Sequence, residues 1–203
     1  LNKGDLKAIA DLAIDNDFWV YSDEVYSSIV HDGKFGSIAS VEGMLERTIM
    51  VDCCSKTYAM PGWRLGYAAN RELAPHLARW MANTDSCANH MTQWAAVEAL
   101  NGSQEESRKM AESFKRRRDL IVKLLNGIEG IKCLSPGGAF YVFPNVTGAC
   151  KKVWAKSGEE FRKMLLENGV ACLADIHFGH RNPGCKEEYL RFSFASSEQD
   201  IIE

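Results

Sequence analysis

Ser55-Lys56-Thr57-Tyr58-Ala59-Met60-Pro61-Gly62-Trp63-Arg64-Leu65-Gly66-Tyr67 closely follows the apolar run Thr48–Val51 (TIMV), and the rest of the chain is read outward from it. A short apolar run bounded by polar residues reads as a buried strand. A lysine just after such a strand tends to be shielded from water. A desolvated amine can lose its proton near neutral pH and form a Schiff base with an aldehyde. Arg64 lies eight positions on, close enough to share a pocket while offering a fixed planar cation to an anion. A lone lysine is usually a surface charge; the company of Ser55, Gly62, Trp63 and Arg64 argues against that here.

Two further segments carry chemistry. Ser22-Asp23-Glu24-Val25-Tyr26 begins where the apolar run Phe18–Tyr21 ends. In parallel α/β sheets ligands bind at the C-terminal ends of strands, so a carboxylate there is well placed. Taken alone, Asp23 reads more simply as a cap on the next turn. Tyr189-Leu190-Arg191-Phe192-Ser193-Phe194-Ala195 alternates as a strand with a cation among apolar residues. Burying that cation alone is costly, so it needs an anion. The anion is either a carboxylate of the chain, in a structural salt bridge, or a substrate carboxylate gripped by the two-pronged guanidinium.

Around these segments, Leu6, Ile9, Ala10 and Ala13 mark an amphipathic helix, and Leu65–Ala69 is a third strand candidate. Helices alternating with short buried strands predict an α/β layer with a mostly parallel sheet. Helices are expected at Glu72–Asn83, Met91–Leu100 and Glu105–Asn126, the last with Met110, Phe114, Ile121 and Leu125 on one face and a stop at Gly127. The basic run Lys115–Arg118 inside it reads as a solvated face, since no aromatic residues interleave for stacking on a nucleic acid. Strands at Ile131–Leu134, Ala139–Phe143, Val170–Leu173 and Tyr189–Ala195, with a helix near Gly158–Asn168, predict a smaller α+β domain. The expected division is 1–110 and 111–203.

Composition narrows the class. Of 203 residues, 24 are Lys or Arg and 27 Asp or Glu, a formal charge of −3 that lacks the basic footprint of a nucleic-acid binder. Hydrophobic residues at 46% and charged ones at 25% are ordinary globular values. No apolar run approaches the roughly 20 residues of a membrane span, so no membrane partner is expected. Seven scattered cysteines without a C-x-x-C pair point to free thiols in a reducing cytoplasm, not to zinc or a disulfide framework.

Together the motifs resemble class I aminotransferases, the pyridoxal-phosphate enzymes of fold type I. SKTYAMPGWRLGY at 55–67 is similar nearly throughout to the family's cofactor-lysine motif. Asp-Glu-Val-Tyr at 23–26, Gly-Gly-Ala-Phe-Tyr at 137–141 and Leu-Arg-Phe-Ser-Phe-Ala at 190–195 match further family blocks in the same order. The resemblance implies a three-layer, mostly parallel α/β large domain followed by the small domain. It also implies pyridoxal 5'-phosphate as cofactor, amino acid and 2-oxo acid substrates, and a homodimer.

By the same resemblance, Lys56 is the lysine that bonds the cofactor and shuttles the proton. Asp23 pairs with the pyridine nitrogen, and Tyr26 hydrogen-bonds the 3′ oxygen. Arg64, helped by Ser55, holds the phosphate, and Arg191 receives the substrate carboxylate. Cys53 stands where the family often has a phosphate-contacting serine and is a weaker donor. The family's Pro-Gly-x-x-Phe-Gly turn appears as Ala174-Asp175-Ile176-His177-Phe178-Gly179, and His177 and His180 there read as ordinary loop histidines.

The first residue is Leu, and the family's Gly-rich turn, ring-stacking aromatic and 3′-oxygen asparagine would all lie upstream. The chain is therefore expected to be a C-terminal part, cut upstream, that alone binds cofactor weakly or not at all and is inactive. The donor side chain stays open among aspartate, alanine and aromatic amino acids. Two other readings are carried: a β-lyase on the same cofactor, and a non-catalytic sensor or assembly domain, which retention of Lys56 and Asp23 argues against.

Overall fold

Asn2 opens helix α1 (Lys3–Asp15): its side chain accepts the N–H groups of Gly4 and Asp5, and the Asp5 carboxylate accepts the Asn2 N–H at 2.8 Å. This reciprocal cap satisfies donors that a helix start leaves open. Leu6, Ala10 and Ala13 form its buried stripe, packed with Ile38 and Met44. The computed structural model describes residues 1–203, which divide into two compact units, Leu1–Lys109 and Met110–Glu203.

In the first unit β1 (Val20–Asp23), β2 (Thr48–Cys53), α2 (Cys54–Thr57) and β3 (Gly66–Ala69) follow one another, and the strands form one sheet in the order β1-β2-β3. β1 and β2 are parallel, with Val20 opposite Thr48 and Asp23 opposite Val51; β3 is antiparallel to β2, with Cys53 opposite Gly66. Within this unit the expected parallel pairing therefore holds for the first pair only. The physical reason is the connection. The Cys54 N–H donates to the Leu65 carbonyl at 3.1 Å and the Met60 N–H to the Cys54 carbonyl at 3.3 Å. The chain is folded back to the strand end it left, without the crossover a parallel neighbour needs. β1 begins at Val20 because the Phe18 N–H is used by the Ala13 carbonyl in the turn after α1, which leaves Phe18 and Trp19 exposed.

Helices α3 (Ala74–Thr84) and α4 (His90–Asn101) complete this unit. Buried Asn70 ties α3 to the sheet: its amide donates to the Glu46 and Thr48 carbonyls at 2.8 and 2.9 Å, and its oxygen accepts the Glu72 and Leu73 N–H groups. No helix of the protein is long and apolar enough to cross a membrane.

α5 (Glu105–Asn126) straddles the division, and β4 (Tyr141–Val142), α6 (Thr147–Lys152), α7 (Gly158–Glu167), β5 (Leu173–Ala174), β6 (Leu190–Ser193) and α8 (Glu198–Ile202) follow. β4, β6 and β5 form an antiparallel sheet with β6 in the middle. Val146, Cys150, Phe161, Ala174 and Leu190 are the core beneath it. The basic run on α5 is not wholly solvated: Arg118 is only 5% exposed, bonded to Asp119 and to the Pro136 carbonyl at 3.1 Å. Ile131–Leu134 is not a strand. Asn126 takes both main-chain groups of Cys133 with its side-chain amide at 2.9 Å, and only a single bridge, Lys132 to Asn145, remains. At Gly130, with φ +91°, an added Cβ would meet the Ala149 nitrogen at 2.5 Å, so the loop and the start of α6 can approach only through glycine.

Arg181 fastens the turn after β5. Its Nε donates to Asp175 Oδ2 at 2.6 Å and its Nη1 to Glu188 Oε1 at 2.8 Å, while Glu188 also accepts the Gly158 N–H that begins α7. The Arg181 hydrogen bonds hold the Glu188 carboxyl below its ordinary value of 4.5. A carboxylate with a lowered folded pKa contributes stability that is fully present above the unfolded pKa and is lost as pH falls through the folded one. The thermal midpoint should therefore fall as the pH is lowered through and below the ordinary carboxylate range, more steeply in the wild type than in Glu188→Gln. Superimposable acid profiles would show that this network does not contribute.

Candidate active site

Lys56 is half-buried in α2, in the turn leaving β2, and its Nζ stands 5.9 Å above the centre of the Tyr26 ring. Tyr26 arrives from the segment after β1. The parallel register that sets Asp23 opposite Val51 brings the end of β1 beside the start of α2. Amine and phenol thus converge from two different strand ends, the place where open α/β sheets bind ligands. Asp23, the last residue of β1, is exposed, and its Oδ1 is 3.4 Å from the Val25 N–H. At that length a turn cap is weak.

Its neighbour Glu24 has a different task. It is buried, its side chain accepts the Ser22 and Ser37 hydroxyls at 2.9 and 2.6 Å, and its N–H donates to the Val51 carbonyl. Of the two adjacent acids, one anchors the strand end and the other is presented beyond it.

Ser55 is half-buried beside Lys56. Arg64 sits in the left-handed region at φ 53°, and its Nη1 donates to the Pro61 carbonyl at 2.8 Å. For a residue with a Cβ that backbone costs about 1–2 kcal/mol. Arg64 borders an open cavity of about 900 Å³ in the first unit, with Gly62, Trp63, Cys87, Asn89 and Met91. Cys54 is fully buried, and burial pushes its thiol up, which makes it an inert packing group. Cys53 makes no side-chain cap bond to α2.

A pair that sequence reading missed lies across β2 and β3. Tyr67 Oη donates to Asp52 Oδ2 at 3.4 Å. Partial burial raises the Asp52 carboxyl, while burial and the Asp52 charge push the Tyr67 phenol to about 12. The signal was available, because Asp52 and Tyr67 face each other once β3 turns back.

Arg191 lies in the second unit, on central strand β6. No carboxylate of the chain pairs with it. Its guanidinium carbon instead stands 4.4 Å from the ring centres of both Tyr141 and Phe178. The structural salt bridge that the sequence left open is not formed. His177 is held in the turn beside it: Nδ1 accepts the Ala174 N–H at 3.1 Å, and Nε2 is 3.6 Å from Glu159. This histidine therefore has an acidic neighbour, which sequence reading did not find.

The family model for "Aminotransferase class I and II" matches residues 1–203. The chain is 40% identical, over all of its length, to a putative aminotransferase (YugH) of Bacillus subtilis, and 40% identical over 91% of its length to an aspartate aminotransferase of Rhizobium meliloti. It covers 50% and 46% of those two proteins, so it spans about half the length of the curated relatives it matches. Among solved structures, the aromatic aminotransferase of Pyrococcus horikoshii superimposes with a TM-score of 0.88 at 34% identity, over 99% of this chain and 52% of that one.

Proposed function

The chain belongs to the class I and II aminotransferases, whose cofactor is pyridoxal phosphate, and on that premise we propose that the complete protein carrying it transfers an amino group from an amino acid to a 2-oxo acid. The observation that supports this most directly is the Lys56 amine 5.9 Å over the Tyr26 ring at the ends of two parallel strands, with Asp23 presented next to them. The donor set fits the cofactor's chemistry. A carboxylate suits the ring nitrogen, a phenol the ring oxygen, an amine the aldehyde, and a hydroxyl with a guanidinium the phosphate. When bound, the cofactor supplies an electron sink for the charge left at the substrate Cα.

In this reading Asp23 holds a proton on the ring nitrogen, and Tyr26 donates a hydrogen bond to the ring oxygen. Ser55 and Arg64 bind the phosphate. The amine of Lys56 would hold the cofactor and would carry the proton taken from the substrate Cα. Arg191 grips the substrate carboxylate in plane with its two N–H groups. Residues 1–110 are proposed as part of the cofactor-binding domain and 111–203 as the small domain. The protein is proposed to be a cytoplasmic homodimer; exposed Trp80, Met91 and Trp94 offer the apolar surface that association requires.

The test is a product assay on the complete, cofactor-loaded protein with an amino acid and a 2-oxo acid. The expected result is a new 2-oxo acid matched one for one by a new amino acid, with no ammonia. Release of ammonia with pyruvate would assign a β-lyase instead.

A further inference from the structure

The carboxylate grip of Arg191 rests on the proposed function, and what fixes that side chain is visible in the second unit itself. The guanidinium carbon is 4.4 Å from the ring centre of Tyr141 and 4.4 Å from that of Phe178. Tyr141 comes from β4, and Phe178 from the 3₁₀ turn Asp175–Phe178 that follows β5. These are the strands flanking β6 on either side.

We infer that Tyr141 and Phe178 are positioning residues that clamp the two faces of the Arg191 guanidinium and leave only its edge for a carboxylate.

A guanidinium gains attraction from a ring over its face, and its N–H donors point outward in its own plane. Two rings, one at each contact, therefore restrict rotation of the group without consuming a donor. A carboxylate on the chain would have consumed them. The clamp is itself braced. Phe140 lies 4.7 Å from Tyr141 and stacks at 5.2 Å on Phe114 of α5, while Phe143 meets Phe178 edge-on at 6.0 Å and stacks on Tyr189 at 5.6 Å. The turn bearing Phe178 is pinned by the Arg181 contacts to Asp175 and by His177. Ordering the arginine before substrate arrives removes rotamer entropy that binding would otherwise cost.

The experiment uses the complete, cofactor-loaded protein with variants Arg191→Ala, Phe178→Leu, Tyr141→Leu and Tyr141→Phe. KM and kcat are measured for amino acid and 2-oxo acid, and the dissociation constant is measured calorimetrically for succinate, a carboxylate that cannot transaminate. Phe178 is 49% exposed, so its replacement leaves the fold intact. Phe178→Leu and Tyr141→Leu should each raise KM and the succinate constant about fivefold with kcat nearly unchanged, while Tyr141→Phe, which keeps the ring, should match the wild type. If Arg191→Ala weakens succinate but neither leucine variant does, the clamp is refuted and the carboxylate site stands. If Arg191→Ala leaves succinate binding unchanged, the carboxylate site is refuted and the clamp with it.

Discussion

Replacing Lys56 by alanine is expected to abolish transamination in the complete protein, lowering kcat by at least about 10³-fold, because proton transfer by one positioned group is typically worth 10²–10⁴. The side chain is proposed both as the covalent anchor and as the base, so both are lost together. The fold should survive. Lys56 is half-buried and stands over the Tyr26 face, an interaction worth about 0.5–1 kcal/mol. Lys56→Arg separates charge from chemistry: it keeps a cation over Tyr26 but offers no amine that can condense with an aldehyde, and it should be as inactive as alanine. Borohydride reduction of the loaded wild type followed by peptide mapping should place the cofactor on Lys56. A label on another lysine, or activity retained in both variants, would end the proposed mechanism.

The second large effect is expected at Asp23. Asp23→Asn removes the charge and keeps the shape, so it tests whether the carboxylate holds a proton on the ring nitrogen or merely caps a turn. Losing one preorganised electrostatic partner of a developing charge costs about 10²–10³ in kcat, and Asp23→Glu should recover part of it. Thermal stability should hardly change, because Asp23 is exposed and its contact to the Val25 N–H is long at 3.4 Å. A fall in thermal midpoint with unaltered kcat would give the residue back to the turn. Glu24 is the control in the same strand end. Its replacement should disturb folding first, since Glu24 is buried and accepts two serine hydroxyls.

The sequence by itself determined the order and type of the long elements. α1 and α5 follow from the recurrence of apolar residues every third or fourth position, and the lysine segment follows from its own chemistry, because those signals are local. Of the proposed site in the first unit, Lys56 and Arg64 were nominated by their own segment, whereas Asp23 taken alone read as a turn cap, and its role with those of Tyr26 and Ser55 came from the resemblance of two short segments to a family's motifs.

What only tertiary structure decided depends on partners far away along the chain. The antiparallel return of β3, the burial of Arg118, the loss of a strand at Ile131–Leu134 and the different duties of Asp23 and Glu24 are set by which backbone groups other segments satisfy. Arg191 shows this most plainly. Its own strand states that a cation must be accommodated, but the two rings that hold it come from Tyr141 and Phe178. No periodicity along one strand can reveal which faces will meet across a sheet.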